Sequence, residues 1–218
     1  MSELTVVIAD DHPLFRSALK QAIVECIDTD NIAEADSFND LQQVISAHPS
    51  LELVFLDLHM PGNSGFSGLT QLRSHYPDLI VIMVSSDDNP NIMKRAIDFG
   101  ATAFIPKSAD ISTISSAINS VLNGDVWLPE GTLELIETDD ASEHKKLATQ
   151  LAGLTPQQYT VLQLIADGKL NKQIGYMLNI TENTVKKHVS AILSQLEVNN
   201  RTLAGLAYQQ LRQVPAQN

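Results

Sequence analysis

Five short apolar runs alternate with longer helical patterns in the first 125 residues of the chain. Apolar runs bounded by turn residues are typical of strands buried on both faces of a parallel sheet. Strands that alternate with helices predict a doubly wound α/β sheet covered by helices on both faces. The predicted strands span residues 4–9, 31–35, 53–57, 79–84 and 102–105, and the predicted helices span residues 12–28, 37–48, 66–76, 89–99 and 109–123.

Carboxylates stand at the ends of two of these predicted strands. Asp57 closes the third strand, and Asp10 and Asp11 follow the first. A single strand-end aspartate is more often a turn or capping residue than a ligand. In open α/β sheets, however, ligands bind outside the carboxyl ends of the strands, so the three side chains are expected to converge. Such a cluster repels itself unless a cation lies within it, and an all-oxygen site suits Mg²⁺.

A hydroxyl and an ammonium group are predicted at the same edge of the sheet. Ser85 follows the fourth strand and Lys107 follows the fifth. A carboxylate nucleophile, a metal ion, a hydroxyl and a lysine are the groups needed to accept a phosphoryl group. The cations offset the charge on the transferring oxygens, and the hydroxyl hydrogen-bonds to one of them.

Residues 1 to about 125 resemble a bacterial response-regulator receiver domain, which has a flavodoxin-like fold. The resemblance rests on Asp10-Asp11, Asp57 followed by Met60-Pro61-Gly62, Ser85, and Lys107 with Phe104 three places before it. It implies that Asp57 is the phosphoacceptor and that Asp10, Asp11, Asp57 and the backbone carbonyl of His59 hold Mg²⁺. It also implies that Ser85 and Lys107 contact the phosphoryl group, and that Phe104 changes rotamer when the domain switches.

The last 68 residues carry a second, all-helical pattern. Thr155, Pro156 and Gln158 form the Thr-x-x-Gln signature of a capping box that begins a helix. Further helices are predicted from Asn171 and after Thr181, joined by a tight turn that contains the apolar Ile180. Two short helices about such a turn predict a helix-turn-helix.

Polar residues on the third of these helices indicate a nucleic-acid interface, although a solvated helix face is an equal alternative on composition alone. The order of motifs, with Asn171-Lys172-Gln173-Ile174 before Thr184-Val185-Lys186-Lys187-His188, closely resembles the LuxR/NarL/FixJ-type DNA-binding domain. That resemblance implies that the third helix enters the major groove and that the last helix, 201–212, forms a dimer face. The implied groove residues are Lys186, Lys187 and Ser190, and the implied backbone contacts are Lys172, Thr181 and Thr184.

The charge of the chain is distributed unevenly between its parts. The formal net charge is −12, but residues 1–128 carry −11, residues 129–150 carry −4 and residues 151–218 carry +3. An acidic N-terminal part joined to a mildly basic C-terminal part is expected of a regulatory unit tethered to a polyanion-binding unit. We therefore predict a receiver domain at 1–125, an acidic linker at 126–150 and a DNA-binding domain at 151–218.

These patterns together predict a two-component response regulator of the NarL/FixJ (LuxR-type) family. A sensor histidine kinase is the expected phosphoryl donor, DNA the expected target and a homodimer the expected active form. The chain lacks the apolar stretch of about 20 residues that a membrane helix needs and a basic N-terminal start, so a cytoplasmic location is expected, with no membrane partner. Two alternatives remain open: a receiver that acts mainly through protein contacts, and an aspartyl-phosphate hydrolase. We do not expect the chain to be an enzyme.

Overall fold

The computed structural model describes residues 5–27, 29, 31–132 and 141–213. Its five strands are β1 (Thr5–Ala9), β2 (Ile32–Ala35), β3 (Leu51–Asp57), β4 (Ile80–Ser85) and β5 (Ala103–Pro106). Its ten described helices are α1 (Pro13–Cys26), α2 (Phe38–Ala47), α3 (Ser67–His75), α4 (Pro90–Asp98), α5 (Ile111–Leu122), α6 (Ala141–Ala152), α7 (Pro156–Ala166), α8 (Asn171–Leu178), α9 (Glu182–Gln195) and α10 (Arg201–Arg212).

The strands form one parallel sheet in the order β2-β1-β3-β4-β5, which confirms the predicted doubly wound topology. Helices α1 and α5 cover one face through residues such as Leu19 and Ile118, and α2, α3 and α4 cover the other. The interior of β3 is fully buried from Leu53 to Leu56, as expected for a central strand with helices on both sides. We refer to β1 through α5 as the sheet unit.

The C-terminal helices α7 to α10 form a compact bundle, which we call the helical unit. Thr155 and Gln158 make the predicted capping box at the start of α7. Asn179 ends α8 in the left-handed conformation, and the Ile180 N–H then donates to the Gly175 carbonyl at 2.9 Å. A Cβ atom on Gly175 would lie 2.8 Å from the Ile180 oxygen. This glycine lowers local helix propensity but allows the tight turn between α8 and α9.

The observed elements differ from the predicted ones mainly at their ends. Ser85 and Pro106 belong to β4 and β5, whereas the predicted strands stopped one residue earlier. Their backbones extend the sheet ladder, since Ser85 lies opposite Pro106 in the register of the two strands. The first residue of the first predicted strand, Leu4, lies outside the described residues.

The sheet unit and the helical unit share one hydrophobic cluster. Helix α6 packs against α3 and α4, and its residues Leu147 and Leu151 are buried. Helices α7 and α10 also contact α3. In the helical unit, Gln195 Nε2 donates to the Gln150 carbonyl of α6 at 3.1 Å. The predicted linker region therefore contains a helix that lies against both units. No described helix combines the length and the apolar composition that a membrane crossing requires.

Candidate functional site

The three predicted carboxylates lie together at the carboxyl edge of the sheet. Asp10 and Asp57 are almost fully buried, while Asp11 is partly exposed. Their positions follow from the topology, because β1 and β3 are paired in parallel and end at the same edge. Ligand atoms of Asp10, Asp11, Asp57 and His12 lie within 4.8 Å of one another.

Lys107 neutralises part of this negative charge. Its Nζ atom lies 2.9 Å from Asp57 Oδ2 and 2.7 Å from Asp10 Oδ2. Burial by itself lowers the pKa of Lys107, but hydrogen bonds and charge attraction from the two carboxylates outweigh it, so the pKa is raised overall. The ammonium is therefore charged at neutral pH and is held at the side chain of Asp57.

Ser85 and the backbone at the end of β5 complete the site on the side of β4. Ser85 is fully buried, and its Oγ accepts the N–H of Asp87 at 3.1 Å. The Lys107 N–H donates to the Ser85 carbonyl at 2.7 Å, which fixes the two predicted phosphoryl-contacting residues relative to each other. Phe104 lies three residues before Lys107, on β5, and is fully buried.

Two histidines border the site. The side chain of His59 is exposed, and its N–H donates to Asp57 Oδ1 at 3.1 Å. The N–H of His12 donates to Asp10 Oδ1 at 2.7 Å, and its ring Nδ1 lies 2.8 Å from Asp11 Oδ1. The ring of His12 thus faces the carboxylates.

The donor set fits a divalent cation. The Asp11 Oδ1 atom is shielded from solvent and has no hydrogen-bond partner among the described residues, although the imidazole of His12 lies near it outside hydrogen-bonding geometry. A shielded carboxylate oxygen without a donor is costly unless a cation compensates its charge. Carboxylate oxygens are the ligands that hard cations such as Mg²⁺ take from proteins.

The predicted DNA-contacting residues lie on α8, on α9 and at the N-cap of α9. Thr181 caps α9 and bonds to the Thr184 N–H at 3.1 Å, and the two hydroxyls lie 2.8 Å apart. Lys186 forms an exposed ion pair with Glu182 at 3.1 Å, one turn earlier on the helix. Lys172, Lys187 and Ser190 are exposed. The two threonine hydroxyls therefore have a structural role in capping α9, and Lys186 has a competing carboxylate.

Sequence reasoning missed a buried polar contact between the sheet unit and the helical unit. Tyr159 on α7 is fully buried, and its hydroxyl lies 2.6 Å from Thr70 Oγ1 and donates to the Ser67 carbonyl at 3.1 Å. Its ring meets those of His75 and Tyr208 edge-on. Burial is the main reason that the pKa of Tyr159 is raised well above its usual range. The pattern of α7 marked Tyr159 only as part of a helix and carried no signal of these partners.

The carboxyl end of α10 is capped by the sheet unit. The last carbonyls of a helix have no hydrogen-bond donor within the helix itself. At the end of α10, two of the donors come from α4 and from the loop before α3. Arg95 donates from Nη2 to the Gln210 carbonyl at 3.1 Å, and the Phe66 N–H donates to the Leu211 carbonyl at 2.9 Å. Gly65 permits this approach, because a Cβ atom there would clash with the Leu211 carbonyl oxygen.

Two family models match the chain, one on each unit. The model described as "Response regulator receiver domain" matches residues 6–119. The model described as "Bacterial regulatory proteins, luxR family" matches residues 152–206. The first match covers the whole carboxyl edge of the sheet, and the second covers α7, α8, α9 and the start of α10.

Two relatives match over almost the whole length. The glycerol metabolism activator of Pseudomonas putida is 39% identical over 206 residues, which cover 93% of each chain. The nitrate/nitrite response regulator protein NarL of Escherichia coli strain K12 is 29% identical over 95% of this chain and 96% of its own.

A solved structure supports the fold alone. RcsB from Salmonella enterica serovar Typhimurium, bound to promoter DNA with the phosphomimetic BeF₃⁻, superposes with a TM-score of 0.54. The match has 22% identity and covers 96% of this chain and 99% of that one. Because the receiver model and the full-length relatives agree, the chain belongs to the response regulators that join a receiver domain to a LuxR-type DNA-binding domain and regulate transcription.

Proposed function

We propose that Asp57 accepts a phosphoryl group from a sensor histidine kinase and that this modification controls DNA binding by the helical unit. The observation that carries the proposal is the position of Lys107, which lies 2.9 Å from Asp57 Oδ2 in a buried site at a sheet edge. A lysine held against a buried carboxylate is suited to contact the oxygens of a phosphoryl group bound to it.

The proposed reaction is an in-line transfer. A carboxylate oxygen of Asp57 forms a bond to phosphorus, and the bond between phosphorus and the imidazole nitrogen of the donor histidine breaks. Lys107 and the hydroxyl of Ser85 contact the transferred oxygens. The N–H of His59, which donates to Asp57 Oδ1, orients the carboxylate before the transfer. The chain then participates in its own modification without being an enzyme for an external substrate.

Asp10, Asp11, Asp57 and the backbone carbonyl of His59 are the proposed holders of Mg²⁺. When bound, the ion offsets the negative charge of the carboxylates and of the incoming phosphoryl group. Asp10 is fixed for this role, because Arg16 donates to its backbone carbonyl at 2.6 Å and the His12 N–H donates to its Oδ1. The orphaned Oδ1 of Asp11 is the group that gains most from the ion.

A physical route connects the site to the DNA-binding unit. Ser85 ends β4, and α4 follows it directly and carries Arg95. Arg95 holds the carboxyl end of α10. Helix α10 is the proposed dimer face, and Leu203 and Leu206 in its first half are exposed. A shift of α4 on phosphorylation would change this contact. The change would bias a pre-existing equilibrium between docked and separated units.

Helix α9 is the proposed reader of the major groove. Lys186, Lys187 and Ser190 are exposed on it and are the proposed groove residues. Lys172, Thr181 and Thr184 are the proposed contacts to the duplex backbone. The few cations on each helical unit favour binding as a homodimer. DNA as the target favours a location in the cytoplasm. The proposed division into domains at 1–125, 126–150 and 151–218 assigns α6 to both the linker and the DNA-binding domain.

Acetyl phosphate tests the proposed acceptor without the kinase. We expect incorporation of one phosphoryl group, dependent on Mg²⁺, in the wild-type chain and in a Ser108→Ala control. Asp57→Asn should show none, and Lys107→Ala should be labelled more slowly. Equal labelling of wild type and Asp57→Asn would refute the assignment of Asp57.

DNA binding tests the proposed role of α9. Lys187→Ala should cost about 1–3 kcal/mol in binding to a preferred sequence and relax the preference for the base that this lysine contacts. Lys145→Ala, which removes an exposed lysine from α6, is the control. A larger effect of Lys145→Ala than of Lys187→Ala would contradict the assignment.

A further inference from the structure

The carboxamide of Asn63 is hydrogen-bonded on both sides, just beyond the proposed phosphoacceptor. Its Nδ2 atom donates to the backbone carbonyls of Asp57 at 3.0 Å and of Leu58 at 3.3 Å. Its Oδ1 atom accepts the Gly68 N–H at 2.9 Å and the Ser67 hydroxyl at 3.5 Å. A carboxamide has two donor hydrogens and two lone pairs, so these four contacts use its full capacity and fix its orientation.

Asn63 also supplies an acceptor that the start of α3 would otherwise lack. The first N–H groups of a helix have no acceptor within the helix, and the side chain of Phe66, the residue before α3, makes no capping hydrogen bond. The Oδ1 atom of Asn63 takes this place at the Gly68 N–H. The end of β3 and the first turn of α3 are therefore joined through one side chain.

The same turn of α3 receives the buried hydroxyl of Tyr159 from the helical unit. Tyr159 donates to the carbonyl of Ser67, the residue whose hydroxyl contacts Asn63. Thr70 Oγ1 lies 2.6 Å from the Tyr159 hydroxyl and donates to the Ser67 carbonyl at 3.1 Å. A movement of this turn relative to α7 would break buried hydrogen bonds, which are costly to leave unmade.

Two further polar contacts connect α3 to the helical unit and to the segment that leads into it. Ser74 donates to the Leu154 carbonyl at 2.9 Å, just before α7 begins. Gln163 on α7 donates from Nε2 to Gln71 Oε1 at 2.9 Å. Helix α3 is thus held at its start by a residue that bonds to the end of β3, and along its length by contacts with the C-terminal part of the chain.

We infer that Asn63 is a positioning residue that couples the state of Asp57 to the docking of the helical unit on α3. A phosphoryl group on Asp57 changes the charge and the contacts of that residue, and Asn63 links its carbonyl to the turn that holds Tyr159. These hydrogen bonds run from β3 to α3 and are separate from the connection through α4 and Arg95. The inference rests on the proposed function, because it requires Asp57 to be the acceptor.

Coupling between two sites is reciprocal, so a change at Tyr159 must alter binding at Asp57. Because the proposed modification favours separated units, Tyr159→Phe should tighten the binding of beryllofluoride, measured by calorimetric titration of the full chain with saturating Mg²⁺. The expected tightening is up to about fivefold, the factor that one net hydrogen bond represents in an equilibrium constant. The same factor is expected in an Asn39→Ala background, since Asn39 is an exposed residue of α2.

The factor should fall below about 1.5 in an Asn63→Ala background, because the coupling is lost. Tyr159→Phe should still lower Tm by roughly 2–4 °C in that background, which distinguishes a contact that is present but uncoupled from one that is absent. Asn63→Asp keeps an acceptor for the Gly68 N–H but has no amide donor for the Asp57 carbonyl. It should therefore give the same result as Asn63→Ala.

Each other outcome overturns a different part of the reasoning. An unchanged factor in Asn63→Ala or Asn63→Asp would overturn the role of Asn63, and so would loss of the Tm effect together with the factor, since Asn63 would then only support α3. A factor of one in the otherwise wild-type chain, with beryllofluoride binding that Asp57→Asn abolishes, would overturn the coupling and leave the proposed acceptor intact. Beryllofluoride binding that Asp57→Asn does not weaken would overturn the proposed function itself.

Discussion

Replacing Tyr159 with phenylalanine removes one hydroxyl from the buried contact between the two units. That hydroxyl bonds to Thr70 Oγ1 at 2.6 Å and to the Ser67 carbonyl at 3.1 Å. Thr70 keeps acceptors after the change, because its own hydroxyl also lies 3.1 Å from the carbonyls of Phe66 and Ser67. No buried donor is left without a partner, so the loss should be that of one net hydrogen bond, about 1 kcal/mol.

Calorimetric unfolding of the full chain measures this loss. A change of about 1 kcal/mol corresponds to roughly 2–4 °C in Tm for a chain of this size, provided that the two units unfold together. Tyr176→Phe is the matched control, since it deletes the same atom from a tyrosine that is 90% exposed. The control should change stability by less than about 0.5 kcal/mol.

A double-mutant cycle identifies the partner of the hydroxyl. Tyr159→Phe and Thr70→Val together should be less destabilising than the sum of the two single changes, with a coupling of about 1 kcal/mol. Equal stability of Tyr159→Phe and Tyr176→Phe, or a coupling of zero, would refute the claim that this contact holds the units together.

Three further changes test the packing and charge of the described residues. Gly65→Ala should cost about 1–3 kcal/mol more than Gly124→Ala in thermal unfolding, because both glycines have positive φ but only Gly65 lies against the Leu211 carbonyl. Equal costs would contradict the close approach of α10. Burial lowers the pKa of His75, and the hydrogen bond with the Gln71 carbonyl offsets this lowering only in part. As the pH drops through about 6.5, the unfolded chain therefore binds a proton before the folded chain does, and stability should fall. Urea titrations of His75→Gln should show a smaller acid loss, and an unchanged loss would rule out His75 as its source. Thr155→Ala removes the capping box of α7 and should cost about 1 kcal/mol in urea unfolding, whereas Thr202→Ala, at an exposed position on α10, should cost less than half of that.

The sheet and the residues at its edge could be predicted because local patterns determine them. An apolar run that ends at Asp57 predicts a buried strand, and parallel strands necessarily bring their carboxyl ends to one edge. Asp10, Ser85 and Lys107 were therefore expected near Asp57 from their positions along the chain alone. The start of α7 at Thr155 was visible for the same reason, since capping is decided within four residues.

The contact between the units could not be predicted because no local pattern encodes it. Tyr159 and Thr70 are 89 residues apart, and each fits an ordinary helix on its own. Gly65 lies in a turn, where a glycine can be required for many reasons. Only the fold shows that this glycine makes room for α10. The orientation of His12 toward Asp11 likewise depends on the backbone after β1, which a sequence alone does not fix.

The central claim, that modification of Asp57 controls DNA binding, is tested most directly by footprinting a target promoter under four conditions. Wild type and Asp57→Ala are each compared with and without beryllofluoride, which binds as a phosphoryl mimic to the acceptor aspartate together with Mg²⁺. The account predicts a shift in DNA affinity on adding beryllofluoride to the wild type and none in Asp57→Ala. Equal DNA binding in all four conditions would contradict it.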